Sequence, residues 1–181
     1  MWDEFHADWE RLAVECALLN QQLLEGRAEP VSAPESDETF DLNDYSGETR
    51  QVLTEQRIKQ NFFRRAVLAS YRGRCCMSGL SDARLLIASH IVPWSKDKAN
   101  RLNPSNGLCL SAIHDRAFDK GLITLTDDHR IVLSGALRNS ADQFAIEVFS
   151  CLDGEKIQMP ERFVPNLDFI SRHRYEIFQG A

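Results

Sequence analysis

The chain has 181 residues, 43% of them hydrophobic and 27% charged, with a formal net charge of −6. That length supports one domain with a real core, or one domain plus a small appendage, and no apolar stretch approaches the roughly 20 residues that cross a bilayer. The acidic opening MWDEFHADWE lacks the basic start of a secretory signal, so a cytoplasmic protein without a membrane partner is expected.

In chain order, residues 2–25 are expected to form a helix. Trp2, Phe5, Trp9, Leu12, Cys16, Leu19 and Leu23 fall at alternating steps of three and four, which is a heptad seam, and Gly26 supplies a stop. Three heptads are short for an independent coiled coil. The seam is therefore expected to dock, either on its own domain or as a homodimer or partner-helix contact. Residues 27–49 are acidic, with two prolines, and read as a linker or surface arm. Residues 50–72 read as a helix or helix pair. Its apolar side holds Val52, Leu53, Ile58, Phe62, Phe63, Ala66, Val67 and Tyr71, and its basic side Arg57, Lys59, Arg64, Arg65 and Arg72.

Shorter elements follow. A turn around Gly79 and Asp82 leads into the apolar run Leu85–Ala88, a buried strand that delivers His90 at or just past its end, with Pro93 closing it. Residues 95–107 are a polar, basic loop. A second apolar run covers Leu108–Ile113, then helical propensity returns at His114–Lys120 and stops at Gly121. Leu122–Leu125 and Arg130–Leu133, separated by Asp127–Asp128, read as a hairpin. The alternating FAIEVF at 144–149 reads as a strand, and 168–178 as a closing helix with Asp168 as its cap. The domain reading is a docking or dimerisation helix at 1–26, an acidic arm at 27–49, and one domain over 50–181.

The five cysteines (Cys16, Cys75, Cys76, Cys109, Cys151) are odd in number and irregularly spaced, with no CxxC pair. Reduced, mostly buried thiols are expected, not a disulfide framework or a four-cysteine zinc site. Charge is segregated along the chain. Residues 1–49 carry 2 basic and 13 acidic side chains, residues 50–116 carry 12 and 4, and residues 117–181 carry 7 and 10. A basic block inside an acidic chain is the footprint of a phosphate-binding segment, or simply a solvated basic face.

The informative constellation is ASHIVPW, NPSNGLCL and IHDRAFDKGL. Asn106 stands 16 residues after His90, and His114 8 residues after Asn106, in a predicted order of strand, loop, strand, helix. Phosphodiester hydrolysis needs an activated water, a Lewis acid on the phosphate and help for the leaving alkoxide. Histidine, with an unperturbed pKa near 6.5, is able to accept a proton at neutral pH, and an asparagine before glycine makes local hydrogen bonds that fix a turn.

With QRIKQNFFRRAVLASY at 56–71, the Cys76–Gly79 turn, the histidine–hydrophobic–proline–tryptophan sequence and the FDKG that follows His114, residues 50–125 resemble the HNH nucleases, in the branch found among restriction and anti-phage proteins. The terminal DFISRHRYEIF resembles, more weakly, the closing helix of such proteins. The resemblance implies an α+β fold with a ββα-metal (His-Me finger) core at 75–125, flanked by N- and C-terminal helices. It implies a metal-dependent endonuclease acting on DNA, with the duplex as the expected form. His90 would be the general base, Asn106 would hold the loop and orient the base, and His114 would be a metal ligand. The implied ion is Mg²⁺, with Mn²⁺ or another transition metal as the alternative.

One position departs from the family pattern. Ser89 stands where many members carry an aspartate or histidine ligand, so Asp115, Asp119 or water is left to complete the shell. On an ideal helix Asp119 lies about 140° around the axis from His114, an awkward angle for one shared ion. Lys96, Lys98 and Arg101 in the loop, with Arg57, Arg64 and Arg65 on the preceding helix, are the expected phosphate contacts. Trp94 is expected to pack and fix the strand exit. A binding module that has lost its chemistry, and a nuclease of RNA or single strands, stay open as alternatives.

Overall fold

The computed structural model describes residues 8–25 and 47–180; side chains are described for 8–19 and from Ile58 onward. The expectations for residues 1–7 and for 27–46 of the acidic arm lie outside the described residues, as do the side chains of Leu23 and Arg57. The chain divides into two compact units, Met1–Phe62 and Phe63–Ala181. Among the described residues, no helix is long and apolar enough to cross a membrane.

In the first unit, helix α1 spans Trp9–Glu25 and helix α2 begins at Gly47, ending in the second unit at Ser70. Asp8 accepts a hydrogen bond from the Arg11 backbone N–H (3.0 Å), satisfying one of the open donors of the first turn. Lys59 of α2 pairs with Glu10 of α1 at 3.0 Å. Of the predicted seam, Cys16 and Leu19 are exposed, while Ala13 is buried.

The second unit holds the α+β fold. Its elements are β1 (Leu86–His90), β2 (Gly107–Ser111), α3 (Ala112–Asp119), β3 (Ile123–Leu125), β4 (Ile131–Leu133), α4 (Gly135–Arg138), α5 (Gln143–Phe149) and α6 (Leu167–Glu176). Strands β1 and β2 pair antiparallel, Leu86 opposite Ser111 and His90 opposite Gly107. Every residue of β2 is buried, as expected of a strand covered on both faces. Its outer edge is used as well, because the Cys76 N–H donates to the Cys109 carbonyl (2.8 Å). Helix α3 follows β2 without a loop, completing a β-β-α unit.

That unit sits in one apolar core. Phe63, Val67 and Tyr71 from the end of α2, Leu86, Leu108 and Leu110 from the sheet, and Phe118 from α3 are all buried. The 123–133 hairpin forms as expected, Ile123 opposite Leu133, and His129 takes a positive φ of 60° in its turn.

Two expectations are corrected. FAIEVF is the helix α5, because Asp142 caps it by accepting from the Ala145 N–H (2.8 Å) and none of the strands among the described residues pairs with it. The cap of α6 is Asn166, which accepts from the Asp168 N–H (2.8 Å); Asp168 lies inside the first turn, where its charge favours the helix N-terminus. The cysteines are as expected, mostly buried and all free thiols: Cys75, Cys76 and Cys109 are buried, Cys16 and Cys151 exposed.

Candidate active site

His90 ends β1 with its ring held on three sides. It stacks on Phe63 (centroids 3.9 Å apart, planes at 9°) and meets Trp94 edge-on at 5.5 Å. Its Nε2 lies 2.9 Å from the Arg101 carbonyl oxygen. A carbonyl only accepts, so Nε2 carries the proton and Nδ1 keeps its lone pair. Burial pushes the His90 pKa below its ordinary value, against a smaller opposing effect of the Arg101 carbonyl. The ring is therefore neutral at physiological pH, with a defined tautomer and a basic Nδ1.

Asn106 is 1% exposed and spends its whole side chain on the loop. Its Oδ1 accepts from the Val92 N–H (2.8 Å), and its Nδ2 donates to the Val92 and Asn100 carbonyls (3.1 and 3.3 Å). Its backbone carbonyl accepts from the Ile91 N–H (2.9 Å). One asparagine thus ties both ends of the segment that begins beside His90.

His114 lies in the first turn of α3, buried. Ser111 holds the N-cap position but makes no side-chain cap bond; its hydroxyl lies instead 2.8 Å from His114 Nδ1, with the Cys75 thiol on the same nitrogen at 3.5 Å. With Nδ1 engaged, Nε2 is the nitrogen left over, and it is buried with no hydrogen-bond partner. Ser89 Oγ is in the same condition, buried and without a partner of hydrogen-bonding geometry. It nevertheless lies close enough to Asp115 to offset part of the burial that raises that carboxyl's pKa.

Asp115 and Asp119 are one helical turn apart on α3. Burial first, and Asp115's charge second, push the Asp119 carboxyl up to about 6. The Asp115 charge is thus felt at Asp119, as the i,i+4 spacing on α3 dictates. Among the described residues, no three histidine, cysteine, aspartate or glutamate side chains gather closely enough to enclose a metal ion. Two orphaned buried polar atoms, of which Ser89 Oγ lies near the Asp115 carboxyl, still suit a divalent cation held partly by water. Mg²⁺ takes one or two carboxylates and keeps several waters, and a cation would reverse the upward shift on Asp119.

The expected phosphate contacts separate into two groups. Arg64 is committed to the fold, donating to the Leu86 and Ala83 carbonyls (2.9 and 3.4 Å), and Lys96 pairs with Glu176 at 3.0 Å. Arg101 lies over Trp94, its guanidinium carbon 5.1 Å from the ring centroid, with Nε on the Trp94 carbonyl (2.9 Å). Lys98 and Arg65 are exposed. Trp94 thus packs between His90 and Arg101, at the strand exit.

Three contributors to the site carry no motif of their own. Phe63 supplies the stacking face, and the FF pair in α2 is its only sequence signal. Arg101 acts through a backbone carbonyl, which no side-chain pattern announces. Gly107, opposite His90, is needed for space: a Cβ there would drive into Val67 Cγ2 and sit 3.0 Å from Phe63 Cζ. The Asn-Gly dipeptide announces a turn, but the glycine serves a close approach of helix to sheet.

A family profile described as HNH endonuclease matches residues 75–126. Among solved structures, a modification dependent TagI restriction endonuclease is similar at 22% identity and a TM-score of 0.46. The match covers 64% of this chain and 37% of that one, so the chain spans well under half of that protein's length. No curated protein matches the sequence.

Proposed function

We propose that this chain, whose residues 75–126 match the HNH endonuclease profile, is a metal-dependent nuclease of that kind and hydrolyses DNA phosphodiester bonds with His90 as its general base. The observation that carries the reading is the His90 Nε2–Arg101 carbonyl bond. It leaves Nδ1 as the only ring nitrogen able to take a proton from water. Phe63 and Trp94 keep the ring from turning, and burial keeps it unprotonated near neutral pH.

Asn106 fixes the two ends of the loop on which the Arg101 carbonyl rides. Ser89 Oγ, His114 Nε2 and one of the Asp115 and Asp119 carboxylates would hold the cation, Mg²⁺ on an oxygen-rich donor set that water completes. When bound, the ion supplies Lewis-acid charge for the phosphate and the leaving oxygen. Arg101, Lys98 and Arg65 offer positive charge for phosphates and position a duplex without reading its sequence. The motif's resemblance is what supports a role in restriction or anti-phage defence, and the acidic start of the sequence is what supports the cytoplasm as its place.

The missing carboxylate at position 89 and the lack, among the described residues, of a three-residue ligand cluster favour one second reading: a nucleic-acid-binding module without catalysis. A supercoiled-plasmid nicking assay separates the two. Nicking is expected with Mg²⁺ or Mn²⁺, none with EDTA, and a loss of roughly a hundredfold or more in His90→Ala. DNA bound but left intact under every metal condition would establish the binding module instead. Duplex DNA is expected to be cut in preference to single strands or RNA in the same buffer.

A further inference from the structure

The loop that presents the Arg101 carbonyl to His90 is held from outside by α6. At its outer end Asp97 accepts from the Asn100 N–H (3.2 Å) and the Asn100 Nδ2 (3.0 Å). Arg172 of α6 donates from Nη1 to the same Asp97 Oδ2 at 3.1 Å. Beside this pair, Lys96 reaches Glu176 at 3.0 Å, and Glu176 is braced by Arg172 Nε at 3.4 Å. Asn100 passes the restraint inward. Its carbonyl accepts from Asn103 N–H and Asn106 Nδ2, both at 3.3 Å, and its Oδ1 accepts from Asn103 Nδ2 at 3.4 Å. The next residue is Arg101, whose carbonyl takes the His90 hydrogen bond.

We propose that Arg172, acting through Asp97, is a positioning residue for the general base: α6 pins the loop so that the Arg101 carbonyl holds His90 in the Nε2–H tautomer. The inference rests on His90 being the base and adds α6, which reaches His90 through the loop. The Asp97 side chain is only 15% exposed, so this pair is screened less than an ordinary surface ion pair. A carboxylate joined to both a backbone N–H and a guanidinium fixes the Asn100–Arg101 segment in orientation as well as in place. Without Arg172 that segment gains freedom, and the carbonyl no longer faces Nε2 continuously. An imidazole lacking its acceptor populates both tautomers, and the Nδ1–H form cannot take a proton from water at Nδ1.

The test uses the full chain, metal-free, with the ring nitrogens of His90 read by ¹⁵N NMR at neutral pH. Plasmid nicking with Mg²⁺ is measured on the same variants. Wild type is expected to show the Nε2–H signature alone. Arg172→Ala and Asp97→Asn are expected to show a mixture, with Arg172→Lys between. In the Ala and Asn variants kcat should fall roughly ten- to a hundredfold with KM changed less than about twofold. Arg138→Ala, which breaks the surface pair with Asp153, should match wild type in both readouts. An unchanged His90 signature in folded Arg172→Ala, or in Asp97→Asn should the first fail to fold, overturns the proposal. So does an effect confined to KM. A tautomer shift in a protein that never nicks DNA supports the positioning role and overturns the nuclease reading alone.

Discussion

At the residue scale, Asn106 shows how much one buried amide can hold. Its three hydrogen bonds satisfy both backbone groups of Val92, which is itself buried, and a carbonyl across the loop. Asn106→Ala strands the Val92 N–H and C=O away from water, at a cost of about 1–3 kcal/mol for each group left without a partner. Asn106→Asp keeps the acceptor for the Val92 N–H but turns a carboxylate oxygen toward two carbonyls. It is expected to be no more stable than the alanine variant, despite being the closer isostere. Chemical denaturation of both variants checks the order; an aspartate variant as stable as wild type would mean that the amide N–H donors contribute nothing.

At the element scale, the contact between α2 and the β1–β2 pair sets the stacking face of the candidate base. The β1–β2 register puts Gly107 opposite His90. Because that position has no side chain, Phe63 and Val67 can lie against the sheet, and Phe63 can meet the His90 ring at 3.9 Å. Gly107→Ala adds one methyl group where the neighbours are the tips of two buried side chains and, at 3.1 Å, the Pro104 carbonyl oxygen, so the core must shift to admit it. A destabilisation of roughly 1–3 kcal/mol is expected, with a larger fractional loss of nicking than of stability at 25 °C, because the displaced ring is the one supporting His90. Thermal unfolding and initial nicking rates, measured together, test this; unchanged melting would show that the helix yields freely.

At the scale of the whole molecule, α6 returns to the β-β-α unit from far downstream and brings His173 into the core. That ring stacks on Phe118 at 3.7 Å, and its Nε2 lies 3.1 Å from the Phe118 carbonyl, so Nε2 donates and Nδ1 accepts from the Thr124 hydroxyl at 3.0 Å. Burial lowers its pKa from 6.5 to about 4. The unfolded chain therefore takes the proton first. The stability contributed by the neutral ring is complete above about pH 6.5, declines as pH falls, and has gone below about 4. A tenfold change in proton affinity is worth about 1.4 kcal/mol, so the contribution of the neutral ring is on the order of 3 kcal/mol. Asp119, raised to about 6, works in the opposite direction, because its protonation removes a charge disfavoured first by burial and second by Asp115 in the folded state. The His173 share is thus isolated by comparing wild type with His173→Gln. The variant should be less stable at neutral pH and show a shallower loss between pH 6.5 and 4. Parallel pH profiles would remove His173 as the source.

The order of elements from α2 to the 123–133 hairpin was legible in the residues alone, as were the two histidines and the asparagine worth examining. Periodicity, turn residues and motif spacing are local properties, and each of those features is local. FAIEVF was misleading because six alternating residues satisfy both a strand and a short helix, and Asp142, outside that pattern, settles between them. Folding in three dimensions was needed to show which nitrogen of His90 is free, what packs against its ring, and what holds the loop in place. These depend on a backbone carbonyl, on a missing Cβ opposite a ring, and on an arginine 75 residues from its aspartate. Such contacts join groups distant in the chain, so they exist only once it has folded.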